Sequence, residues 1–313
     1  MTKNIRLQWK GDPFFGQAKL MLMVMPYVSS EECFALKGGS AINFFVRDVP
    51  RLSVDIDLTY LPLEERAVSL RAAGEALKRI SRKIKKALLG INIREVFSKS
   101  SKDIGKLFVS DSDVQIKIEI NEVLRSSIFP CERRELANRA EELFEMSMVM
   151  ATLSNADLYG GKLCAALDRQ HPRDFFDIKV LLENEGITDD IRKAFVVYLA
   201  GHNRPINELI EPRWKDIRLM FENELSGMTV EPVSYDDLIT SRDAMFSLLK
   251  KTLTINEKKF LLSVKEGKPE WSLMDIAGID KLPSIQWKLL NIKRMPRHKH
   301  LEEMSKLEKA LQL

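Results

Sequence analysis

The chain has 313 residues, of which 45% are hydrophobic and 30% are charged, and its formal net charge is +4. A chain of this length buries a substantial core in one large or two ordinary domains, and its composition excludes an intrinsically disordered protein. The small positive charge permits an anionic partner without requiring one.

The sequence favours a cytoplasmic protein that has no membrane contact. Its longest apolar run, from Leu20 to Val28, contains Pro26 and is about half as long as a membrane span. No signal-peptide pattern opens the chain. The cysteines Cys33, Cys131 and Cys164 lack the spacing of a metal site, and we expect Cys33 and Cys164 to be core residues in a reducing compartment.

The first elements in chain order are a helix and a short strand. Residues from Gln17 to Met25 are rich in methionine and leucine, which predicts a helix that packs on the core. Phe34-Ala35-Leu36 predicts a strand that runs into a turn at Gly38 and Gly39, because glycine lets the backbone bend freely.

A helix start follows this glycine turn. The residues from Ala41 to Val46 have helical character, and Ser40 is able to cap their first turn. The N–H groups at a helix start, together with the helix dipole, bind phosphate well. The segment therefore predicts a phosphate-binding turn, and an ordinary structural turn is the alternative.

Two carboxylates lie on the next predicted strand. The segment from Val54 to Leu58 alternates apolar and acidic residues, so Asp55 and Asp57 share one face. Two like charges side by side repel each other, and a divalent cation removes that cost. We therefore predict a metal site for phosphoryl chemistry at Asp55 and Asp57, with an exposed strand edge as the alternative.

A long basic helix is predicted from Leu63 to Leu89. Its apolar residues keep helical spacing on one face, and they are Leu77, Ile80, Ile84 and Leu88. Its other positions carry Lys78, Arg79, Arg82, Lys83, Lys85 and Lys86. Such a face is either an ordinary solvated surface or a ridge that binds the phosphates of RNA.

Three further strands are predicted before the middle of the chain. They cover Ile91 to Phe97, Leu107 to Val109 and Val114 to Asn121. The last strand alternates strictly, so that its isoleucines face the core and Glu119 faces outward. An exposed glutamate of no special function is the simplest interpretation of Glu119.

Two helices are predicted within residues 155–183. The first runs from Asp157 to Arg169, and Pro172 starts the second. Gly160 and Gly161 weaken the first helix and suggest that something approaches it closely. One interpretation of the second helix makes Arg173 and Asp177 a surface ion pair.

The remainder of the chain predicts helices separated by prolines. Basic residues outnumber acidic ones after residue 280, and the segment from Lys288 to Lys299 interleaves bases with apolar residues. This segment is the second predicted RNA contact, and a solvated helix end is the alternative.

Two motifs resemble a known enzyme family. Gly38-Gly39-Ser40, followed by a helix and the Asp55-x-Asp57 strand, resembles the nucleotidyltransferases of the DNA polymerase beta superfamily. Taken together with the segment from Arg51 to Leu58, this motif is still more similar to the AbiEii/AbiGii toxin branch of that superfamily. A second motif of the same toxins resembles a set of residues in this chain, namely Lys162, Ala166, Arg169 and Arg173-Asp174-x-x-Asp177.

The resemblance implies an α+β (α/β) fold with a polymerase-beta-like nucleotidyltransferase core and a C-terminal helical domain. We place these domains at residues 1–185 and 186–313. The implied reaction transfers a nucleoside monophosphate from a nucleoside triphosphate and releases pyrophosphate.

The resemblance also assigns roles to individual residues. It implies that Asp55 and Asp57 hold Mg²⁺ and that Glu119 completes the catalytic metal site. The nucleotide would contact the residues Gly38, Gly39, Ser40, Lys162 and Arg173. Asp174 and Asp177 would belong to the active site with Lys162.

The family implies a toxin that is paired with a cognate antitoxin and acts in abortive infection and phage defence. We predict that its acceptor is RNA, and specifically the 3′ end of a tRNA. Two alternatives remain open from the sequence. One is a small-molecule nucleotidyltransferase of the antibiotic-modifying kind, and the other is a nucleotide-binding protein without turnover.

Overall fold

A computed structural model describes residue 9, residues 11–99 and residues 101–313. The chain divides into two compact units. The first consists of residues through Ser154 together with Gly227–Pro232, and the second consists of Asn155–Ser226 and Val233–Leu313.

The first unit contains a mixed sheet, in which the described residues form seven strands in the order β3-β4-β5-β2-β1-β7-β6. The strands are β1 (Phe34–Lys37), β2 (Asp55–Tyr60), β3 (Asn92–Phe97), β4 (Ile104–Ser110), β5 (Gln115–Ile120), β6 (Glu132–Glu135) and β7 (Val149–Thr152). Strand β2 lies antiparallel to β1 and parallel to β5. This arrangement places β2, which carries Asp55 and Asp57, beside β5, which carries Glu119, at the centre of the sheet.

Helices accompany this sheet within the first unit. They are α1 (Pro13–Ser29), α2 (Gly38–Ala41), α3 (Arg66–Ala87) and α4 (Asn138–Phe144). Asp12 caps α1 because its carboxylate accepts a 2.7 Å hydrogen bond from the N–H of Phe14. Met21 and Met25 are fully buried on α1, which confirms the predicted core helix.

The predictions for α3 and the neighbouring strands are confirmed to within a few residues. Leu77, Ile80 and Ile84 are fully buried on α3, whereas Leu88 lies past the helix end as its C-cap. The isoleucines of β5 point into the core, as strict alternation requires.

The second unit is helical in its described residues. Its helices are α5 (Asn155–Asp168), α6 (Pro172–Glu183), α7 (Asp189–Ala200), α8 (Ile206–Ile210), α9 (Arg218–Glu224), α10 (Tyr235–Thr252), α11 (Ile255–Glu266), α12 (Pro283–Lys293) and α13 (Arg297–Leu311). Short 3₁₀ turns occur at Trp271–Leu273 and Ile279–Lys281. Among the described helices, none combines the length and apolar character needed to cross a membrane.

The compact units divide the chain earlier than the predicted boundary at residue 185. Helices α5 and α6 belong to the second unit, because α5 packs directly along α7. Contacts between helices 155–168 and 189–200 are a tertiary property that local sequence patterns do not report.

Candidate active site

The acidic pair on β2 has the predicted orientation. Asp55 and Asp57 lie on one face of the strand, two residues apart. Across the sheet, Asp57 is in register with Lys37 of β1 and with Glu119 of β5. Among the described residues, nothing forms a hydrogen bond or ion pair with the Asp57 carboxylate.

The glycine turn lies directly against this carboxylate. Gly38 has a φ of +73°, and a Cβ at this position would lie 2.7 Å from Oδ2 of Asp57. A Cβ on Gly39 would lie 2.7 Å from Nη2 of Arg51. Any larger residue in the turn would therefore collide with the acidic strand or with the buried Arg51.

The helix begins earlier than predicted, so the predicted cap by Ser40 is wrong. Helix α2 starts at Gly38, its N-cap is Lys37, and no side chain caps it. The Ser40 hydroxyl is buried within hydrogen-bonding distance of the Asp55 carbonyl oxygen and of Ser53 Oγ at 3.0 Å. Ser40 thus fastens the turn to the start of β2.

A π-helical turn, Ile42–Val46, continues from α2 and was not predicted. Within it, the Asn43 side-chain amide donates a 2.9 Å hydrogen bond to the Gly39 carbonyl. Single π-helical turns are rare and often lie at functional sites. The π-helical turn thus brings a buried amide to the glycine turn. In the sequence, the only sign of this contact is an asparagine within an apolar run.

Glu119 is already paired with two lysines that sequence reasoning missed. Its carboxylate lies 2.5 Å from Lys106 Nζ and 2.8 Å from Lys117 Nζ. Burial favours a higher pKa for Glu119, but the hydrogen bonds and charges of these lysines hold that pKa below its ordinary value. The register Lys106–Glu119 across β4 and β5 explains the first pair.

The geometry fits a divalent cation at Asp55 and Asp57 better than at Glu119. In the described part of the chain, no group of three or more His, Cys, Asp or Glu side chains is gathered closely enough for a metal site. Two carboxylates on one face, beside a turn that excludes any Cβ, are suitable oxygen ligands for Mg²⁺. The role of Glu119 as a third ligand stays a prediction.

The second motif forms a closed ionic cluster inside the helical unit. Lys162 Nζ lies 3.2 Å from Oδ1 of Asp174 and 2.7 Å from Oδ2 of Asp177, and all three side chains are buried. Arg169 donates to both oxygens of Asp174, at 2.6 and 2.7 Å. Burial would raise the pKa of Asp174, but Lys162 and Arg169 hold it well below its usual range. The interpretation of Arg173 and Asp177 as a surface ion pair is therefore wrong, because Asp177 is buried.

Similarity to known proteins identifies the family of this chain. A family model described as "Nucleotidyl transferase AbiEii toxin, Type IV TA system" matches residues 20–289. The chain belongs to this AbiEii family. The resemblance found in the sequence is confirmed, and the chain is a nucleotidyltransferase of a toxin–antitoxin toxin family.

Solved structures support the same fold for this AbiEii-family chain. It is similar to MenT4, a nucleotidyltransferase toxin from Mycobacterium tuberculosis H37Rv, with a TM-score of 0.61. The similarity covers 93% of this chain and 99% of MenT4 at 14% sequence identity. No curated protein matches the chain in sequence.

The close approach predicted at the paired glycines is real at Gly160, and the approaching group is another helix of the AbiEii-family chain. A Cβ on Gly160 would lie 2.7 Å from both the Cβ of Ala194 and the N of Phe195 on α7. Gly161 differs, because a Cβ there would make only an ordinary 3.9 Å contact with Tyr198. Gly160 therefore serves helix packing.

His171 is a capping residue that sequence reasoning did not assign. Its Nδ1 accepts from the N–H of Arg173 at the start of α6, and its Nε2 lies 2.8 Å from Glu224. Burial is the main cause that lowers the pKa of His171, against the opposing hydrogen bond from Glu224. Because Nδ1 accepts a hydrogen bond, Nε2 is the ring nitrogen that donates to Glu224.

The two basic segments, α3 and Lys288 to Lys299, are not merely solvated surfaces, because some of their cations are paired or buried. On α3, Arg79 and Lys83 pair with the buried Glu31 at 2.8 and 2.9 Å. In the C-terminal segment, Lys288 is buried and donates to the carbonyl oxygens of His202 and Arg204. Burial lowers the pKa of Lys288 to about 8. Lys288 therefore stabilises a loop and does not face an RNA.

Proposed function

We propose that this AbiEii-family enzyme transfers a nucleoside monophosphate from a nucleoside triphosphate to the 3′ end of a tRNA. The observation that carries the proposal is the contact of the glycine turn with Asp57, where a Cβ on Gly38 would lie 2.7 Å from the carboxylate. A phosphate-binding turn and a cation-binding carboxylate are thereby adjacent.

In this proposal, Asp55 and Asp57 hold Mg²⁺, which neutralises charge at the triphosphate when it is bound. The backbone N–H groups of Gly39 and Ser40 face the β- and γ-phosphates at the start of α2. Glu119 joins the site by exchanging one of its lysine partners. It then accepts a hydrogen bond from the attacking hydroxyl group.

The roles of Lys162, Arg173, Asp174 and Asp177 rest on the family motif. We propose that Lys162 and Arg173 contact the triphosphate and that Asp174 and Asp177 set the position of Lys162. The short distances from Lys162 to both carboxylates support a fixed lysine. The functional division into residues 1–185 and 186–313 remains part of the proposal.

An RNA acceptor is supported by exposed cations of α3. Arg82, Lys85 and Lys86 are exposed, and they form no ion pair with any residue that the structure describes. Such side chains are available to neutralise phosphates. We further propose a cytoplasmic toxin that defends against phage and whose effect is prevented by a cognate antitoxin.

The test incubates the purified protein with Mg²⁺, total RNA and each of the four α-labelled nucleoside triphosphates in turn. We expect label in RNA of tRNA size with one preferred nucleotide, and no label with the Asp57→Asn protein. Label that appears only in small-molecule products would favour an antibiotic-type enzyme. Absence of label from every RNA would contradict the proposal.

A further inference from the structure

An arginine of the first unit is buried without a partner. Arg125 follows β5 and is only 5% exposed. Its Nε and Nη1 atoms are buried, and no described group accepts a hydrogen bond from either of them. A guanidinium stays charged at any physiological pH, so its burial without an acceptor is costly.

We infer that Arg125 and the start of α3 form a binding site for a phosphate oxyanion. This site is distinct from the glycine turn. The inference does not depend on RNA being the acceptor of the transfer reaction.

The backbone holds Arg125 in place from both sides. Upstream, the Asn121 side chain accepts hydrogen bonds from the N–H groups of Val123 and Leu124, at 3.0 and 2.7 Å. Downstream, the N–H of Ser126 donates to the carbonyl of Tyr60 at 2.6 Å. The guanidinium is therefore presented by a fixed loop, which lowers the entropy cost of binding a ligand.

The start of α3 supplies the second half of the site. This helix has 22 residues, no side chain caps its N-terminus, and its first turn contains no acidic residue. Its N-cap residue is Glu65, whose carboxylate opposes the helix dipole but forms no capping hydrogen bond, so the first N–H groups of the helix remain available as donors. Arg66, in the first turn, donates to the Glu122 carbonyl at 2.7 Å and so ties the helix start to the loop that carries Arg125.

The charges around Arg125 compensate it only in part. Burial and then the nearby Arg66 lower the pKa of Arg125, while Tyr60 and Glu64 act in the opposite direction. The Glu64 carboxylate accepts a 3.0 Å hydrogen bond from the Tyr60 hydroxyl. It forms no ion pair with Arg125 among the described residues. An anion from outside the chain would satisfy the guanidinium.

Phosphate fits this donor set better than a carboxylate does. The donors come from two elements, the guanidinium of Arg125 and the N–H groups that open α3, and they do not form one planar fork. A tetrahedral phosphate accepts from several directions, whereas a planar carboxylate pairs best with one fork. The phosphate can be a free ion or a phosphodiester of a nucleic acid.

The site lies at the opposite end of β2 from the acidic pair. Tyr60 is in register with Phe34 at the start of β1, whereas Asp57 is in register with Lys37 at its end. Asp55 and Tyr60 are the first and last residues of β2, roughly 17 Å apart, and Asp57 is roughly 10 Å from Tyr60 along the strand. Occupation of the glycine turn by a triphosphate therefore does not account for Arg125.

The test follows the Nε–H resonance of Arg125 in ¹⁵N-labelled full-length protein, assigned by its absence from Arg125→Met. Sodium phosphate, a dinucleotide with one phosphodiester, and sodium acetate are added separately at constant ionic strength. We expect a saturable shift with phosphate or the dinucleotide, and which of them binds more tightly identifies the source. An equal response to acetate would overturn the phosphate assignment, and no response to any of them would mean that water satisfies the guanidinium.

Thermal unfolding provides an independent readout. Phosphate in place of chloride should raise the melting temperature of the wild type by about 2 °C more than that of Arg125→Met. The control is Arg94→Met, because Arg94 lies over the Phe108 ring at 4.3 Å in the same unit and should keep the full response. Equal phosphate responses in the wild type and Arg125→Met would overturn the inference, even if Arg125→Met changes the basal stability.

Discussion

Two acidic clusters of the chain differ in how their charge is balanced. On β2, Asp55 and Asp57 point to one face, and the Asp57 carboxylate has no ion pair with the described residues. In the helical unit, Asp174 and Asp177 are buried against Lys162, and Arg169 covers Asp174.

The difference separates acids that are paired with a buried cation of the chain from an acid whose carboxylate has no ion pair among the described residues. A buried acid with a built-in cation contributes to stability above its pKa, and removing that cation leaves an uncompensated charge. On β2, burial opposes a charged Lys117, but Glu119, Asp55 and Asp57 raise its pKa, so this lysine offsets part of the repulsion between the two acids. A divalent cation from solution would offset more of it. The two motifs therefore predict opposite responses to neutral substitutions.

The largest expected effect is loss of transfer in Asp57→Asn. We expect activity to fall by at least about 10³-fold, because the substitution removes charge from the proposed cation site. The melting temperature without metal should be unchanged or higher, since a repulsion disappears. Nucleotide transfer and thermal unfolding are measured alongside Asp113→Asn, an exposed control on the same unit. Full activity of Asp57→Asn would remove Asp57 from the site.

The opposite response is expected for Lys162→Met. Removal of the buried lysine should lower the free energy of unfolding by about 3–5 kcal/mol, because the buried Asp177 loses this cation and Asp174 keeps only Arg169. The matched control is Lys179→Met, whose lysine forms a partly exposed pair with Glu183 and should cost about 0–1 kcal/mol. Chemical denaturation measures both values. Similar costs for the two variants would show that the cluster is not closed.

The same cluster predicts a reversal of pH dependence. In the wild type, the lowered pKa of Asp174 means that its stabilising contribution is fully present above about pH 4, its unfolded pKa. That contribution is lost as the pH falls through the folded pKa. In Lys162→Met, Asp174 keeps Arg169, whereas the buried Asp177 loses the lysine and should favour its protonated form, so stability should increase as the pH falls from 7 toward 5. Denaturation midpoints at several pH values test this, and parallel profiles would contradict it.

The paired glycines give a smaller, local test of the helical unit. Gly160→Ala should cost about 1–3 kcal/mol, because its Cβ would meet the backbone of Phe195 at 2.7 Å. Gly161→Ala should be neutral or stabilising by up to about 1 kcal/mol, since a Cβ fits there and alanine favours a helix. Urea unfolding of the two variants distinguishes packing from ligand approach. A tolerated Gly160→Ala would mean that α7 gives way.

The sequence predicted the face on which a side chain lies better than it predicted the residues that contact that side chain. The alternation on β5, the shared face of Asp55 and Asp57, and the apolar stripe of α3 each follow from a period of two or 3.6 residues. Such periods determine which face a side chain occupies. The family and its fold were identified from the resemblance of the Gly38-Gly39-Ser40 and Asp55-x-Asp57 motifs, not from these periods.

Several of the unpredicted features depend on residues far apart in sequence. Lys106 reaches Glu119 only because β4 and β5 are paired, and Glu31 reaches Arg79 and Lys83 only because α1 lies beside α3. The start of α2 at Gly38 depends on the contact of the turn with Asp57. Charge balance is a tertiary property, so the motif identified the acids but could not identify their partners.

Helix α3 carries cations that are paired with an acid and cations that have no ion pair among the described residues. The two sets allow the effect of charge balance to be compared on one helix. Burial opposes ionisation of Glu31, but Arg79 and Lys83 hold its pKa below the ordinary value, so these two cations are already balanced. Arg82 and Lys86 are exposed, and no described residue pairs with them. Arg82 and Lys86 are therefore available to phosphates, whereas Arg79 and Lys83 are not.

Charge reversal at Arg82 and Lys86 should weaken RNA binding and reduce the slope of log K against log salt by about 2, while stability changes by less than about 0.5 kcal/mol. The matched control, Arg79→Gln with Lys83→Gln, should lower stability because Glu31 is buried, and it should leave most of the salt slope. Filter binding between 50 and 200 mM salt and thermal unfolding measure the two effects. If the Arg82 and Lys86 reversals leave the slope unchanged, this face of α3 is only solvated, and the RNA must be bound elsewhere on the chain.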